Sequence, residues 1–381
     1  MYRQLRRILR WIPIYLLYGT GLLSWAERRI ISSSGIIVLT FHRVLDETEL
    51  QQSCSQPGML IRRSTFEKLL QFLRARCAVV SFSQLPPSWD QGLDRPRVAV
   101  TFDDGWKDTS DTAYPICRKY QVPITVFVCP TMTGKSLPFW PERVLRVWRA
   151  SLHSPELRQR LRAVYIEAGG PEAAEAVQNN SEALVSWLKI LPDKERERVV
   201  REIESLTAGD DGSIPASDVD STMTWHDAAR IAADGGLIGS HTNHHLILTH
   251  SVLSDVRAEL ADSKEAIEKA LGRPCSAFAY PNGSWSRAVR DLTAEHGYDH
   301  AFINEAGVWT SDTDPYLIPR VNIWEGSVVG PLGQFSAIAF RYSVLWHCYR
   351  SERRKRSNSA QEPSKSDLHV AKVAGSQRVK Q

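Results

Sequence analysis

The sequence predicts an α/β protein whose parallel strands close into a barrel. From Gly35 onward, short apolar segments rich in β-branched residues alternate with amphipathic helices, a pattern typical of a parallel sheet covered on both faces. Four of these segments lead into polar or turn-forming residues: IIVLTF into His42, VAVTF into Asp103-Asp104, LIGS into His241, and SAFAY into Pro281. Because the carboxyl ends of parallel strands meet at one mouth of a barrel, these residues are expected to share a site.

The elements of the barrel can be placed in order along the chain. Strands are predicted at 36–41, 78–82, 98–102, 124–129, 237–240, 276–280 and 300–304. Helices are predicted at 66–77, 112–120, 252–271 and 286–296, where apolar residues recur at helical spacing. Together these elements define one barrel domain over 35–335.

Residues 134–215 interrupt the alternation of strands and helices. They are rich in Glu, Arg, Ala and Leu, and they are longer than a connection between a strand and a helix requires. We expect a helical insertion, either a lid or docking surface or plain helical decoration. After the barrel, 336–350 is predicted to form a terminal amphipathic helix, and 351–381 has too little apolar content to fold and is predicted to be a disordered basic tail.

The charge of the chain is concentrated at its two ends. The net charge is +4, yet 1–30 holds six arginines and one glutamate, and 351–381 holds eight Lys/Arg and three Asp/Glu, so each end carries +5 and the remainder about −6. An enzyme that acts on nucleic acid more often carries basic charge around its site, so no nucleic-acid partner is expected. Basic ends suit an anionic membrane surface.

The segment 1–34 is expected to make a peripheral membrane contact. Four arginines, at positions 3, 6, 7 and 10, precede an apolar stretch from Trp11 to Ala26 that is short for a membrane span and is interrupted by proline and glycine. We expect an interfacial helix that inserts Trp11, Tyr15 and Leu23 among the lipids; a soluble helix packed on the domain and a signal anchor are the alternatives. No convincing small-x-small cleavage site follows, which favours a peripheral membrane or cytoplasmic location over secretion.

The six cysteines are scattered and include no CxxC pair. This spacing favours thiols that pack in the core over a disulfide framework or a zinc knuckle.

The first chemical motif is Asp103-Asp104 in TFDDG. Adjacent carboxylates on the turn that leaves a strand diverge, so one can bind a metal while the other faces a substrate. Gly105 permits the sharp turn out of the strand.

The second motif is HTNHH, in which His241 and His245 are separated by four residues. Imidazoles at this spacing share one face of a helical turn and can bind a single cation. His244 lies off that face and His250 is predicted to be on the surface. Two histidines and one carboxylate leave coordination positions open for water, which is the layout of a catalytic metal site.

Taken together, TFDDG, HTxxH and the later AYPNG resemble the polysaccharide deacetylases of the NodB-homology type, carbohydrate esterase family 4. The resemblance covers roughly 36–130 and 220–325, and MTWHDAARIAADGGLIGSHT is similar to the family's usual approach to the histidine motif. It implies an irregular (β/α) barrel and removal of N-acetyl groups from a polysaccharide or glycolipid. An O-acetyl esterase, another C–N hydrolase of the same fold and a catalytically silent glycan-binding factor at the membrane are the alternatives.

The resemblance also implies roles for individual residues. Asp103 corresponds to the general base, and Asp104, His241 and His245 to the metal ligands. Zinc is the metal expected for this donor set, and nickel, cobalt or iron would fit the same ligands. Tyr280 corresponds to the residue whose main-chain NH helps to hold the oxyanion, with Pro281 shaping the loop.

The resemblance allows two different histidines as the general acid. Most members take it from a C-terminal Leu-x-His, here Leu345-Trp346-His347, whereas the branch resembling the exopolysaccharide deacetylases takes it from an N-terminal strand, here the one that ends at His42. We favour His42 because it lies where the barrel mouth is expected.

Four further residues are candidates for the site. Arg320 resembles the arginine that orients the catalytic aspartate, with a surface ion pair as the alternative. Trp225, Phe139 and Trp140 could stack on sugar rings, although core packing is expected for most such aromatic residues.

Overall fold

The computed structural model describes residues 11–32, 34–82, 94–170, 180–207 and 219–359. The strands are β1 Ile36–Phe41, β2 Arg43–Leu45, β3 Leu60–Arg62, β4 Ala78–Val79, β5 Arg97–Phe102, β6 Ile124–Val128, β7 Leu237–Ser240, β8 Ala277–Ala279, β9 His300–Phe302 and β10 Arg320–Asn322. The helices are α1 Ile12–Gly19, α2 Leu22–Ser32, α3 Glu47–Gln52, α4 Arg63–Arg76, α5 Tyr114–Lys119, α6 Trp140–Ser151, α7 Pro155–Glu167, α8 Ser181–Ile190, α9 Asp193–Ser205, α10 Trp225–Ala233, α11 Leu253–Leu271, α12 Arg287–Glu295, α13 Glu325–Val328, α14 Ala337–Phe340 and α15 His347–Ser359.

The main sheet is parallel throughout and nearly closes into a barrel. Its order is β10-β1-β5-β6-β7-β8-β9, with the short β4 also pairing with β5. A parallel bridge between Phe302 and Ile318 links β9 to the segment entering β10, so the two ends of the sheet approach each other. The predicted (β/α) barrel is therefore confirmed. Strand β10 and the small parallel sheet formed by β2 and β3 were not predicted from the sequence.

The apolar strands bury both of their faces, as a parallel barrel requires. All six residues of β1 are buried: Ile37 and Leu39 join the layer between sheet and helices, whereas Ile36 and Val38 join the barrel interior. The interior is tightly filled at β7, because a Cβ atom on Gly239 would lie 2.7 Å from the Phe127 ring. This packing fixes the strands, and with them the loops at their carboxyl ends.

Helices α6 to α9 lie within the range predicted as an insertion and pack around a hydrophobic cluster of their own, which includes Val144, Leu161, Leu188 and Val200. Residues 171–179 and 208–218, including the predicted boundary at 215, lie outside the described residues.

The N-terminal segment differs from the predicted interfacial helix. It forms two helices, and two of the residues expected to insert among lipids are buried in the protein instead, with Trp11 3% and Leu23 1% exposed. Trp11 packs with Ile14 and Ala339 of the C-terminal region, which explains its burial. Tyr15 remains 45% exposed. Among the described helices, none combines the length and apolar character needed to cross a bilayer.

The C-terminal helical region is longer than predicted. It runs from α14 through a π-helical segment, Arg341–Trp346, into α15, and so continues beyond the predicted end at 350 to Ser359. The expected disorder from 351 is therefore wrong for 351–359; residues 360–381 lie outside the described residues. All six cysteines are free thiols, as their spacing indicated.

Candidate active site

The carboxyl ends of the barrel strands open into a cavity of about 330 Å³. His42 follows β1, Asp103 and Asp104 follow β5, and His241 follows β7; together with His245 all of these residues line the cavity. The sequence therefore predicted correctly that these strand ends share one site. The end of β8 contributes differently, because Asn282 and Gly283 line the cavity whereas Tyr280 and Pro281 are not among its lining residues.

Asp104, His241 and His245 form a compact group of potential metal ligands. One ligand atom from each residue lies within 4.8 Å of the other two. The Oδ1 atom of Asp104 is 3.5 Å from Nε2 of His241 and 3.3 Å from Nε2 of His245. Burial alone would raise the pKa of Asp104, but the imidazole groups of His245, His42 and His241 outweigh it and hold the pKa well below its usual range.

Neighbouring groups orient two of these three ligands. Nδ1 of His241 lies 2.7 Å from the carbonyl oxygen of Ala279 and donates to it, which leaves the Nε2 lone pair facing Asp104. On the other side, the indole Nε1 of Trp106 donates to Oδ2 of Asp104 at 2.9 Å and leaves Oδ1 facing the histidines. Burial lowers the pKa of His241 to about 4, so its imidazole is neutral at physiological pH, as a metal ligand must be.

The loops that carry these ligands adopt unusual backbone conformations. Asp104, Thr242 and His245 have φ angles of 71°, 64° and 59°, which lie in the left-handed region. Non-glycine residues in this region are strained and cluster at functional sites. The expectation that His241 and His245 share one face of a helical turn is wrong, because 241–247 is a loop whose left-handed residues bring the two imidazoles to a ring separation of 5.0 Å.

The three ligands fit a divalent cation. Oδ1 of Asp104 is buried and has no hydrogen-bond partner among the described residues, an arrangement that is costly unless a ligand satisfies the oxygen. Two imidazole nitrogens and one carboxylate oxygen form a donor set suited to zinc and leave positions open for water and substrate.

Asp103 is held by Arg320. Its two oxygens accept hydrogen bonds from Nη1 and Nη2 of Arg320 at 2.6 and 2.8 Å, and Arg320 is only 1% exposed. The alternative of a surface ion pair is therefore wrong. Burial alone would raise the pKa of Asp103, but the guanidinium group of Arg320 outweighs it, so the pKa lies below its usual value and the carboxylate stays ionised.

His42 and His347 occupy different environments. Nε2 of His42 lies 4.0 Å from Oδ2 of Asp103, and the side chain borders the cavity with 14% exposure. His347 begins α15, where its Nδ1 atom bonds to the carbonyl oxygen of Tyr342 and its ring packs against the Tyr342 ring. His347 does not line the cavity.

The expected oxyanion donor is wrong. The main-chain NH of Tyr280 donates to the carbonyl oxygen of Phe302 at 3.1 Å, as part of the pairing between neighbouring strands. The Tyr280 side chain is buried in the core, where its hydroxyl donates to the carbonyl oxygen of Tyr316. Pro281 is buried as well, so this segment positions Asn282 and Gly283 at the cavity.

The remaining histidines and aromatic residues differ in whether they lie at the cavity. His244 bonds to the Glu259 carboxylate through Nδ1 at 2.6 Å, and His250 is exposed, in line with their prediction as non-ligands. Phe139 is 4% exposed and packs edge-on against His245, which makes it a support for that ligand. Trp140 borders the cavity, whereas Trp225 packs against the main core.

A buried network that was not predicted from the sequence lies beside the site. Arg43 donates to Asp108 at 2.6 Å and to Asp220 at 2.9 Å, and its guanidinium group lies 4.1 Å from the centre of the Trp106 ring. The network therefore supports the indole that orients Asp104. A signal was present, since Arg43 directly follows His42 and Asp108 lies four residues beyond Asp104, but Asp220 is distant in sequence.

The family model for polysaccharide deacetylases matches residues 90–205 and 210–301, which is more than half of the chain. The chain therefore belongs to this family of hydrolases.

Individual relatives are distant. YlxY of Bacillus subtilis (strain 168), an uncharacterized protein, is 29% identical over 105 residues, which are 28% of this chain and 31% of that protein. Among solved structures, the Streptococcus pyogenes deacetylase PplD in complex with acetate is 16% identical, with 78% of this chain and 96% of that chain covered and a TM-score of 0.48. The structure of IcaB from Ammonifex degensii is 18% identical, with 77% of this chain and 93% of that chain covered and a TM-score of 0.48.

Proposed function

We propose that this protein is a metal-dependent hydrolase that removes N-acetyl groups from the amino sugars of a polysaccharide or a lipid-linked glycan. One observation carries the proposal: an ionised carboxylate, Asp103, shares a cavity with a complete set of two imidazole nitrogens and one carboxylate oxygen. Family membership supports the same class of reaction.

Asp104, His241 and His245 would hold the metal, with zinc expected and nickel, cobalt or iron compatible with the same ligands. When bound, such an ion polarises the acetyl carbonyl and lowers the pKa of a coordinated water.

The chain's own residues move the protons. Asp103 removes a proton from the attacking water while Arg320 keeps its carboxylate ionised and fixed in orientation. His42, on the cavity wall near Asp103, donates a proton to the departing sugar nitrogen. One water and one amide are consumed, and one acetate and one free amine are formed.

Replacing Asp103 with asparagine tests this assignment. The amide keeps the volume of the side chain but cannot accept the proton, so acetate release from an N-acetylated oligosaccharide should fall by about 10²- to 10⁴-fold. Metal content, measured by atomic emission, should be unchanged because Asp103 is not a ligand. Acetate release at the wild-type rate would show that another group is the base.

We also infer that α1 and α2 contact an anionic membrane surface. Both helices leave large apolar side chains exposed: Ile12 52%, Tyr15 45%, Leu16 62%, Tyr18 44%, Leu22 40% and Trp25 37% exposed. Four arginines precede α1 in the sequence, and Arg28 and Arg29 are exposed on α2. Apolar side chains beside cationic ones are the combination that binds anionic bilayers from one side.

Flotation with vesicles of phosphatidylcholine and phosphatidylglycerol tests the membrane contact. The wild type should float with the anionic vesicles, and Ile12→Ser/Leu16→Ser should remain in solution. Leu152→Ser/Ile166→Ser, which changes two exposed apolar residues of the insertion, serves as the matched control and should float normally. Equal flotation of all three proteins would refute the proposed surface.

A further inference from the structure

The inserted helices build one wall of the active-site cavity. Helix α6 contributes Trp140 and Glu142, and α8 contributes Ser186 and Lys189. None of these residues belongs to the motifs that identify the family, and the loops of the barrel contribute the motif residues that line the same cavity. The insertion is therefore placed to act on whatever the barrel binds.

Glu142 is the most unusual group on this wall. Its side chain is 1% exposed, and its Oε1 atom has no hydrogen-bond partner among the described residues. A buried polar atom without a partner is destabilising, and in native proteins such an atom marks a position where a ligand or water completes the bonding.

Burial of Glu142 favours the neutral form of its carboxyl group. Burial raises its pKa to about 8; the charges of Asp220 and Asp104 add to this effect, and Arg43 and a hydrogen bond with Ser55 oppose it. Lys189 lines the same wall of the cavity. A protonated carboxyl group offers one donor and an acceptor, which matches the hydroxyl group of a sugar.

Lys189 links the same wall to the barrel. Its Nζ atom donates to Oδ1 of Asn282 at 2.9 Å and so connects the insertion to the loop after β8. Among the described residues no carboxylate forms an ion pair with Lys189, so its remaining ammonium hydrogens can donate to a ligand.

The rest of the lining has the chemistry of a sugar-binding pocket. Four amide side chains border the cavity: Gln56, Asn282, Asn304 and Asn322. The volume of about 330 Å³ is near the lower end of the range for ligand pockets, about 300–1,000 Å³. A pocket of this size with many neutral donors and acceptors suits a small number of hydroxylated rings.

We propose that Glu142 and Lys189 are substrate-binding residues that hold hydroxyl groups of the amino sugar whose acetamide group faces Asp103. The inserted helices then select the substrate, while the barrel performs the chemistry. This inference rests on the proposed deacetylation, and it assigns the insertion a function in place of decoration.

Kinetics with tri-N-acetylchitotriose test the proposal. Glu142→Leu and Lys189→Met should each raise KM roughly tenfold, the loss expected for one such hydrogen bond, with kcat changed by less than about threefold. Glu142→Gln keeps a donor and an acceptor and should restore KM to within about threefold of the wild type. Glu156→Leu and Lys194→Met, at exposed positions of α7 and α9, are the matched controls and should leave KM unchanged.

Calorimetric binding of the same trisaccharide to the Asp103→Asn variant separates this inference from the proposed reaction. If the wild type releases no acetate, but changing Glu142 or Lys189 in the Asp103→Asn variant still weakens binding of the trisaccharide, the proposed reaction is wrong and the proposed binding role of these two residues is supported. If the wild type is active and neither KM nor affinity depends on Glu142 or Lys189, their proposed role in substrate binding is refuted. If the trisaccharide neither binds nor reacts, both proposals fail for this class of sugar.

Discussion

Replacing Glu142 with glutamine should stabilise the protein, by an amount that increases with pH. The carboxyl group of Glu142 is buried, and its pKa is about 8, compared with 4.5 for an ordinary glutamate. Below pH 4.5 the group is protonated in both the folded and the unfolded chain, so its ionisation does not lower the free energy of unfolding. As the pH rises from there to about 8, the unfolded chain loses this proton while the folded protein retains it, and stability falls.

The size of the effect follows from the shift in pKa. Each unit corresponds to about 1.4 kcal/mol, so the penalty removed by glutamine is roughly 3 kcal/mol at pH 7 and about 5 kcal/mol above pH 8. With an unfolding entropy of about 2.1 cal/mol/K per residue, 5 kcal/mol shifts the Tm of a chain of 381 residues by roughly 6 °C.

The assay is thermal unfolding of the wild type and Glu142→Gln from pH 5 to pH 9. It is performed with a chelator present, because a divalent cation beside Asp104 would itself lower the pKa of Glu142. Glu156→Gln, at an exposed position on α7, is the control and should show no dependence of this kind. A Tm difference that stays constant across this pH range, or that decreases with pH, would refute the reasoning that Glu142 is protonated in the folded state.

Three further predictions concern the site itself. Arg320→Met should lower kcat by roughly 10²-fold and destabilise the protein by about 3–5 kcal/mol in urea unfolding, because the buried Asp103 carboxylate loses its partner; equal stability and activity would show that the pair is dispensable. His241→Ala should abolish stoichiometric zinc binding in equilibrium dialysis, whereas His244→Ala should retain it; the reverse order would contradict the ligand assignment. His42→Phe should reduce kcat by about 10²-fold or more while His347→Phe has little effect, and equal losses would overturn the choice of acid.

The parts of the site that the sequence predicted are those that follow from strand order. The segments before His42, Asp103 and His241 are apolar and of strand length, so their positions in a parallel barrel, and the meeting of their carboxyl ends, could be inferred. Strand β10 was missed because it has only three residues and begins with Arg320, whose charge conceals the β pattern.

The parts that failed depend on tertiary contacts or on backbone detail. The spacing of His241 and His245 suggested a helical turn, but two left-handed residues create the same proximity in a loop. Resemblance to the family suggested the Tyr280 amide as a donor, yet pairing with Phe302 already uses it.

Glu142 could not be found from sequence, since only the packing of the insertion against the barrel places it at the site. Local patterns cannot report such a placement.

The most direct test of the proposed function is product stoichiometry with purified, zinc-loaded protein. Released acetate and newly formed primary amine are measured together on an N-acetylated oligosaccharide, with an O-acetylated glycan as the parallel substrate. The proposed reaction predicts acetate and amine in equal amounts from the first substrate and little acetate from the second. Acetate released from the O-acetylated glycan without any new amine from the N-acetylated one would contradict N-deacetylation and identify an esterase.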